Sequence, residues 1–199
     1  MSHPSAPQNT SSSSQFEKSL SAALATFEQI KALQPMLEKA AAIVGDTLIA
    51  EHKLMMCGNG GSASDAAHIA TEFTCRFCND RRPYPAMAFT VDGGLLTAIG
   101  NDYHFEDIFK RQVAAFGKKG DVFIGLSTSG NSRNLLLALE EAKQRGVQTI
   151  AFLGKTGGFT KGVADVEIIV PGTVTARIQE AQKFLLHVLC EIVEERLPK

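Results

Sequence analysis

No apolar run in the 199 residues approaches the length of a membrane span. The opening stretch, 1–14, is rich in Ser, Pro and Asn, with neither the basic start nor the apolar centre of a secretion signal. The chain is therefore expected in the cytoplasm, with a disordered tail over 1–15 and one domain over 16–199. Basic runs are missing as well. With 20 Lys and Arg against 21 Asp and Glu, a formal net charge of -1 gives no general attraction to nucleic acid or to an anionic membrane, which leaves small molecules as the partner class. Cysteine is scarce: Cys57, Cys75, Cys78 and Cys190 are too few and too irregularly spaced for a secreted disulfide framework. Cys75 and Cys78 spell a C-x-x-C, but with no second pair they read as incidental thiols rather than a redox or metal pair. Neither the G-x-x-x-x-G-K-S/T loop nor the G-x-G-x-x-G fingerprint occurs in context, which argues against a nucleotide enzyme.

What is present is periodic. Apolar residues fall at 16, 20, 23, 27 and 30, and beyond Pro35 at 37, 41, 44 and 48, which predicts two N-terminal helices with a narrow apolar seam. Such a seam seals either a bundle with another chain or the side of its own domain. Short apolar runs then alternate with amphipathic stretches. Strands are expected at Lys53–Cys57, Ala86–Thr90, Val122–Leu126, Thr149–Leu153 and Glu167–Val170, with helices near 62–77, 104–116, 132–145 and 176–196. Strands apolar on both faces and alternating with helices predict an α/β fold, a three-layer sandwich with a central parallel sheet of about five strands flanked by helices. In such sheets ligands bind beyond the carboxyl ends of the strands.

Two of those ends carry the informative loops. Cys57-Gly58-Asn59-Gly60-Gly61-Ser62 leaves the first strand and opens a helix. Its glycines let backbone approach a ligand, Asn59 and Ser62 add side-chain donors, and the free amides of the first helical turn favour an anion or a sugar. His68 and Glu72 follow four apart, on one helix face, where they can share a metal or a proton. The second loop, Ser127-Thr128-Ser129-Gly130-Asn131-Ser132, leaves another strand and enters another helix. Hydroxyls at a helix start suit a phosphate, the alternative being an ordinary Ser-rich N-cap.

At these loops the chain resembles the sugar isomerase (SIS) family, and within it the phosphoheptose isomerases. The resemblance rests on the loop 57–62, then Asp65, His68 and Glu72, then Thr97-Ala-Ile-Gly-Asn101-Asp102, the loop 127–132, Gly157-Gly158, and Arg177-Ile-Gln179-Glu180 through His187, covering nearly all of 16–195. It implies an aldose-ketose isomerase that converts D-sedoheptulose 7-phosphate to D-glycero-D-manno-heptose 7-phosphate, for the heptose of lipopolysaccharide cores and related glycans. It further implies a homotetramer with sites at subunit interfaces. Carried over residue by residue, Asn59, Gly60, Gly61, Ser62, Glu72, Asn101, Asp102 and Gln179 bind the substrate. Ser127, Thr128, Ser129 and Ser132 take the phosphate. His68, Glu72, Gln179 and His187 surround a zinc. Ala176 stands where some relatives carry an acidic residue, and 171–175 is individual to this chain.

Moving a carbonyl from ketose to aldose needs a base, an acid and an electrophile. Glu72 is the expected base and His187 the expected acid, with the metal polarising the oxygens. A carboxylate bound to zinc loses basicity, so Glu72 either ligates weakly or changes roles as substrate enters. Two other functions compete: a non-catalytic SIS regulator that binds the replication initiator DnaA, which lacks the acid-base pair, and an isomerase or lyase of another phosphosugar. Spacing adds one expectation. Gln179 and His187 are eight apart, about 12 Å along a helix axis, while zinc ligands lie about 2 Å from the ion. The two are therefore expected to reach one ion from different chains.

Overall fold

A computed structural model describes residues 14–198, so that 1–13, most of the expected tail, lie outside it. Ser14 and Gln15, expected in the tail, are instead the cap and the first residue of the first helix. Ser14 caps α1 (Gln15–Ile30): its Oγ accepts from the amide of Glu17 at 3.2 Å while the Glu17 carboxylate accepts from the amide of Ser14 at 2.6 Å. A 3-10 turn leads to α2 (Gln34–Ile49), which has Pro35 in its first turn, where no amide is needed.

Five strands follow among the described residues: β1 (Leu54–Gly58), β2 (Ala86–Ala88), β3 (Val122–Ser127), β4 (Gln148–Gly154) and β5 (Val166–Val170). All pair in parallel, in the order β2-β1-β3-β4-β5. The interleaved helices are α3 (Gly61–Thr74), α4 (Gly93–Asp102), α5 (Lys110–Phe116), α6 (Arg133–Gln144) and α7 (Thr175–Arg196).

Alternate strand residues build two cores. Leu54, Met56, Val122, Ile124, Leu126, Ile150 and Phe152 face the layer of α2, α3 and α7, while Met55, Cys57, Phe123, Ala151 and Leu153 face that of α5 and α6. The seam of α2 closes on its own domain, with Leu37, Ala41, Val44 and Leu48 all buried. That of α1 is split: Ile30 is buried, but Phe16 and Leu20 stay exposed, as does Leu24 beside them. Helix α4 is an addition to the elements expected. Two glycines at its start hide it from propensity, but the Asp92 carboxylate caps it by accepting from Leu95 N at 2.9 Å. The stretch 104–116 is a 3-10 turn and then α5, rather than one helix.

Strand order reverses between β1 and β3, which lie side by side with Gly58 opposite Leu126. Their carboxyl ends open toward helices on opposite faces, so a crevice forms there. The glycine loop leaves one of these strands and the Ser-rich loop the other.

Candidate active site

Helix α3 starts directly at the glycine loop. Gly60 precedes it with φ of 57°, a left-handed conformation that favours glycine. Asn59 is fixed by a reciprocal amide pair with Asn134 of α6, at 3.0 and 2.9 Å, which ties the glycine loop to the helix behind the other loop. Ser62 is only 7 % exposed, inside the first turn rather than on the open face of the loop.

About two and three turns on, His68 and Glu72 share a face, with Nε2 of the imidazole 2.9 Å from Oε1 of the carboxylate. Helix α7 runs alongside α3 in the same direction and adds His187, whose ring centre lies 5.1 Å from that of His68, edge on. On its other side His187 stacks against Phe77 at 6.1 Å. Phe77 belongs to the segment after α3, which is held by Glu194 of α7: that carboxylate accepts from the amides of Cys78 and Asn79 and from Asn79 Nδ2, at 3.1, 3.2 and 3.0 Å. Arg81 caps the end of α3, donating to the carbonyls of Glu72 at 2.6 Å and Phe73 at 3.0 Å. The sequence reading passed over Phe77, Arg81, Glu194 and Asn134, whose contacts span long separations and follow no local pattern.

His68, Glu72 and His187 are thus neighbours in a single chain. Among the described residues no three His, Cys, Asp or Glu side chains converge on one metal-sized point. Gln179 lies two turns before His187 on α7, and its Nε2 donates to Asp65 at 2.8 Å. It therefore packs against the start of the same α3 whose middle faces His187, so that within one chain the two residues meet different turns of that helix. Asn101 and Asp102 end α4, exposed and hydrogen-bonded to each other at 2.8 Å. Among the described residues no hydrogen bond joins them to either loop.

The Ser-rich loop is organised around its own hydroxyls. Ser127 Oγ accepts from Gly130 N at 3.0 Å and lies 3.2 Å from Ser132 Oγ, and Ser129 Oγ accepts from Asn131 N at 3.2 Å. Ser132 sits at the N-cap of α6, yet among the described residues its side chain makes no capping bond, so the plain N-cap alternative is not what this serine does. Gly130 (φ 68°) packs on the backbone of Gly157 and Gly158. Thr160 Oγ1 donates to its carbonyl at 2.7 Å and Phe159 N to Asn131 Oδ1 at 3.1 Å, which is the work of the Gly157-Gly158 motif. Thr128, Ser129 and Ser132 remain half-buried at the mouth of the crevice, beside the positive end of α6.

The cysteines play no part in these contacts by pairing, since all four are free. Cys75 and Cys78 are exposed. Burial pushes the thiols of Cys57 and Cys190 up from their ordinary range, and at Cys190 the nearby Glu72 carboxylate adds to it.

A parallel sheet with a hydroxyl loop at a helix start, a glycine loop on the adjacent strand and acid-base side chains beside it defines a sugar isomerase domain, and residues 15–154 match the SIS domain family. The chain is 54% identical over 145 residues to the phosphoheptose isomerase of Clostridium acetobutylicum, covering 73% of this chain and 74% of that one. With the phosphoheptose isomerase of Nitratiruptor sp. identity is 49% over 180 residues, 90% and 96% of the two chains. The solved phosphoheptose isomerase of Neisseria gonorrhoeae superposes with a TM-score of 0.86 at 37% identity, over 91% of this chain and 97% of that one. The chain belongs to the phosphoheptose isomerase family, and no helix among its described residues is long and apolar enough to cross a membrane.

Proposed function

We propose that this isomerase converts D-sedoheptulose 7-phosphate to D-glycero-D-manno-heptose 7-phosphate through an enediolate, as a step of heptose precursor synthesis. The observation that carries the reading is that Glu72 and His187, on adjacent helices, both lie against His68, on the helix that the glycine loop opens, with the hydroxyl loop leaving the neighbouring strand. Phosphate bound at 127–132 and the α6 terminus orients the sugar so that its carbonyl end extends toward Glu72. The carboxylate removes a proton from C1. The C–H electron pair becomes the C1=C2 bond, and the charge that moves to the C2 oxygen is neutralised by a proton from His187. His187 then takes the O1 proton as the C1 carbonyl forms, and Glu72 returns its proton to C2, so both side chains end as they began. His68, 2.9 Å from Glu72, orients the carboxylate.

Zinc is part of the proposal. Two imidazoles, a carboxylate and an amide oxygen form a donor set that zinc accepts, and His68, Glu72, His187 and Gln179 would hold it. When bound it would polarise the carbonyl oxygen as a Lewis acid. The proposal also includes a homotetramer with sites at subunit interfaces, in the cytoplasm where sugar phosphates are held by their charge. Two features support the assembly. The exposed Phe16, Leu20 and Leu24 of α1 continue onto a groove of about 540 Å³ between α1, α2 and α7, lined by Phe27, Leu37, Phe184 and Val188. Asn101 and Asp102, exposed and without a hydrogen bond to either loop among the described residues, would meet substrate in a neighbour's site. A non-catalytic regulator has no need of Glu72 and His187 together, which disfavours that reading. The test is a coupled assay of purified protein on sedoheptulose 7-phosphate, before and after chelation and with zinc restored. Turnover that chelation abolishes and zinc restores is expected; no turnover with zinc present would overturn the assignment.

A further inference from the structure

Asp65 is 5 % exposed, and a carboxylate taken so far from water needs partners. Both come from α7. Gln179 Nε2 donates to Oδ2 at 2.8 Å, and the Lys183 ammonium stands 3.2 Å from Oδ1. Gln179, Lys183 and His187 recur at intervals of four, so they form one stripe on α7. It faces a stripe of α3 made by Gly61, Asp65 and His68. The Gln179 amide rests against Gly61, in space that any Cβ there would occupy. The missing Cβ at Gly61 therefore makes room for this amide.

We propose that Asp65 is a positioning residue that fixes which end of the Gln179 amide faces the site, with Lys183 as its counter-ion. The inference rests on the reading of Gln179 as a site residue and deepens it. An ionised carboxylate only accepts hydrogen bonds, so the amide nitrogen is the end turned to Asp65 and the carbonyl oxygen is the end left over. A metal ion needs that oxygen, and so does a sugar hydroxyl that donates. Were the amide free to turn over, half of its orientations would offer the ligand a nitrogen that neither can use. Lys183, 45 % exposed, holds the other carboxylate oxygen, so Asp65 cannot swing away from Gln179 without separating an ion pair. Residues behind a metal ligand that set its orientation typically matter 10–100-fold in metal affinity.

The experiment is a donor-acceptor exchange, read by competition of zinc ion with a chromogenic chelator and by KM and kcat for sedoheptulose 7-phosphate. Asp65→Asn can both donate and accept, which releases the amide, and a zinc affinity about 10–100-fold weaker with a raised KM is expected. Gln179→Glu alone sets two carboxylates against each other and is expected to be worse. Combined, Asp65→Asn with Gln179→Glu lets the new amide donate to the new carboxylate and leaves an oxygen facing the site. It should recover most of the zinc affinity lost in Asp65→Asn. A purely structural role for Asp65 predicts no such recovery. Lys183→Met keeps the length of the side chain, so it folds where Asp65→Asn does not, and should weaken zinc severalfold with the far-UV spectrum unchanged. If Gln179→Ala damages zinc binding and KM while Asp65→Asn and Lys183→Met leave both as they were, the positioning role is overturned and the site reading stands. If Gln179→Ala itself changes neither, the reading of Gln179 as a site residue fails and takes the positioning role with it.

Discussion

Replacing Glu72 with glutamine removes the base, and with it the anionic donor of the proposed zinc site, while keeping the shape of the side chain; the assay is therefore run with zinc in excess. Its side chain is 18 % exposed and touches His68 Nε2 at 2.9 Å, and a glutamine Oε1 accepts from that nitrogen in the same place. The backbone carbonyl that Arg81 grips at 2.6 Å is untouched by the change. What folding loses is at most the charge on one partner of a partly exposed hydrogen-bonded contact, about 0–1 kcal/mol, so the melting temperature should shift by a few degrees at most. What catalysis loses is the proton acceptor. Positioned general bases contribute roughly 10²–10⁴-fold, so kcat is expected to fall by that factor, a barrier increase of about 3–5 kcal/mol. KM should change far less, because the phosphate loop is intact. Two assays check this: coupled detection of the aldose product, and exchange of the C1 hydrogen with solvent deuterium, which reads proton abstraction even without product release. A Glu72→Gln protein, folded by circular dichroism, that retains kcat within tenfold of the parent or exchanges C1 hydrogen at the parental rate refutes the assignment of the base.

Ser129→Ala and Ser132→Ala should mainly raise KM, each by about fivefold for a hydrogen bond of roughly 1 kcal/mol and more if charge-assisted, with kcat falling less; equal use of a substrate lacking the phosphate would reduce the loop to a structural turn. Gly130→Ala forces an L residue to φ of 68° and drives its Cβ into the Gly157 backbone, so it should lower stability by at least about 1–3 kcal/mol in urea titration and loosen phosphate binding. Cys75 and Cys78 should react with a chromogenic disulfide reagent in the native protein, while Cys57 and Cys190 become countable only in denaturant, because burial holds both thiols in the neutral form. The same two thiols predict loss of stability as pH rises past the ordinary thiol value of 9.0. There the unfolded chain gives up protons that the folded chain keeps, so the unfolding free energy falls with pH. Urea midpoints at pH 8 and pH 10 measure it, and Cys57→Ala should flatten the slope.

The sheet was legible because its strands are apolar on both faces, so Leu54–Gly58, Val122–Ser127 and Gln148–Gly154 stand out as runs without needing any partner to explain them. The two loops at the strand ends were legible for a similar reason. Gly60 and the cluster around Ser127 are local choices, made by backbone conformation and by hydroxyl chemistry within six residues. Helix α4 was not legible, since its signal is a cap at Asp92 followed by the two residues that most weaken a helix. The proposed acid-base pair, Glu72 and His187, falls between these cases. His68 and Glu72 announce themselves by their spacing on one helix, but nothing within α7 marks His187 over any other half-buried histidine. Only the alignment of α7 beside α3 places it at Glu72, and that alignment is fixed by contacts more than a hundred residues apart in sequence, Gln179 and Lys183 on Asp65 at one end and Glu194 on Cys78 and Asn79 at the other. Set beside a second helix running the same way, residues eight apart on α7 meet different turns of α3: Gln179 lies at Asp65, His187 at His68, and Lys183 between them also reaches Asp65.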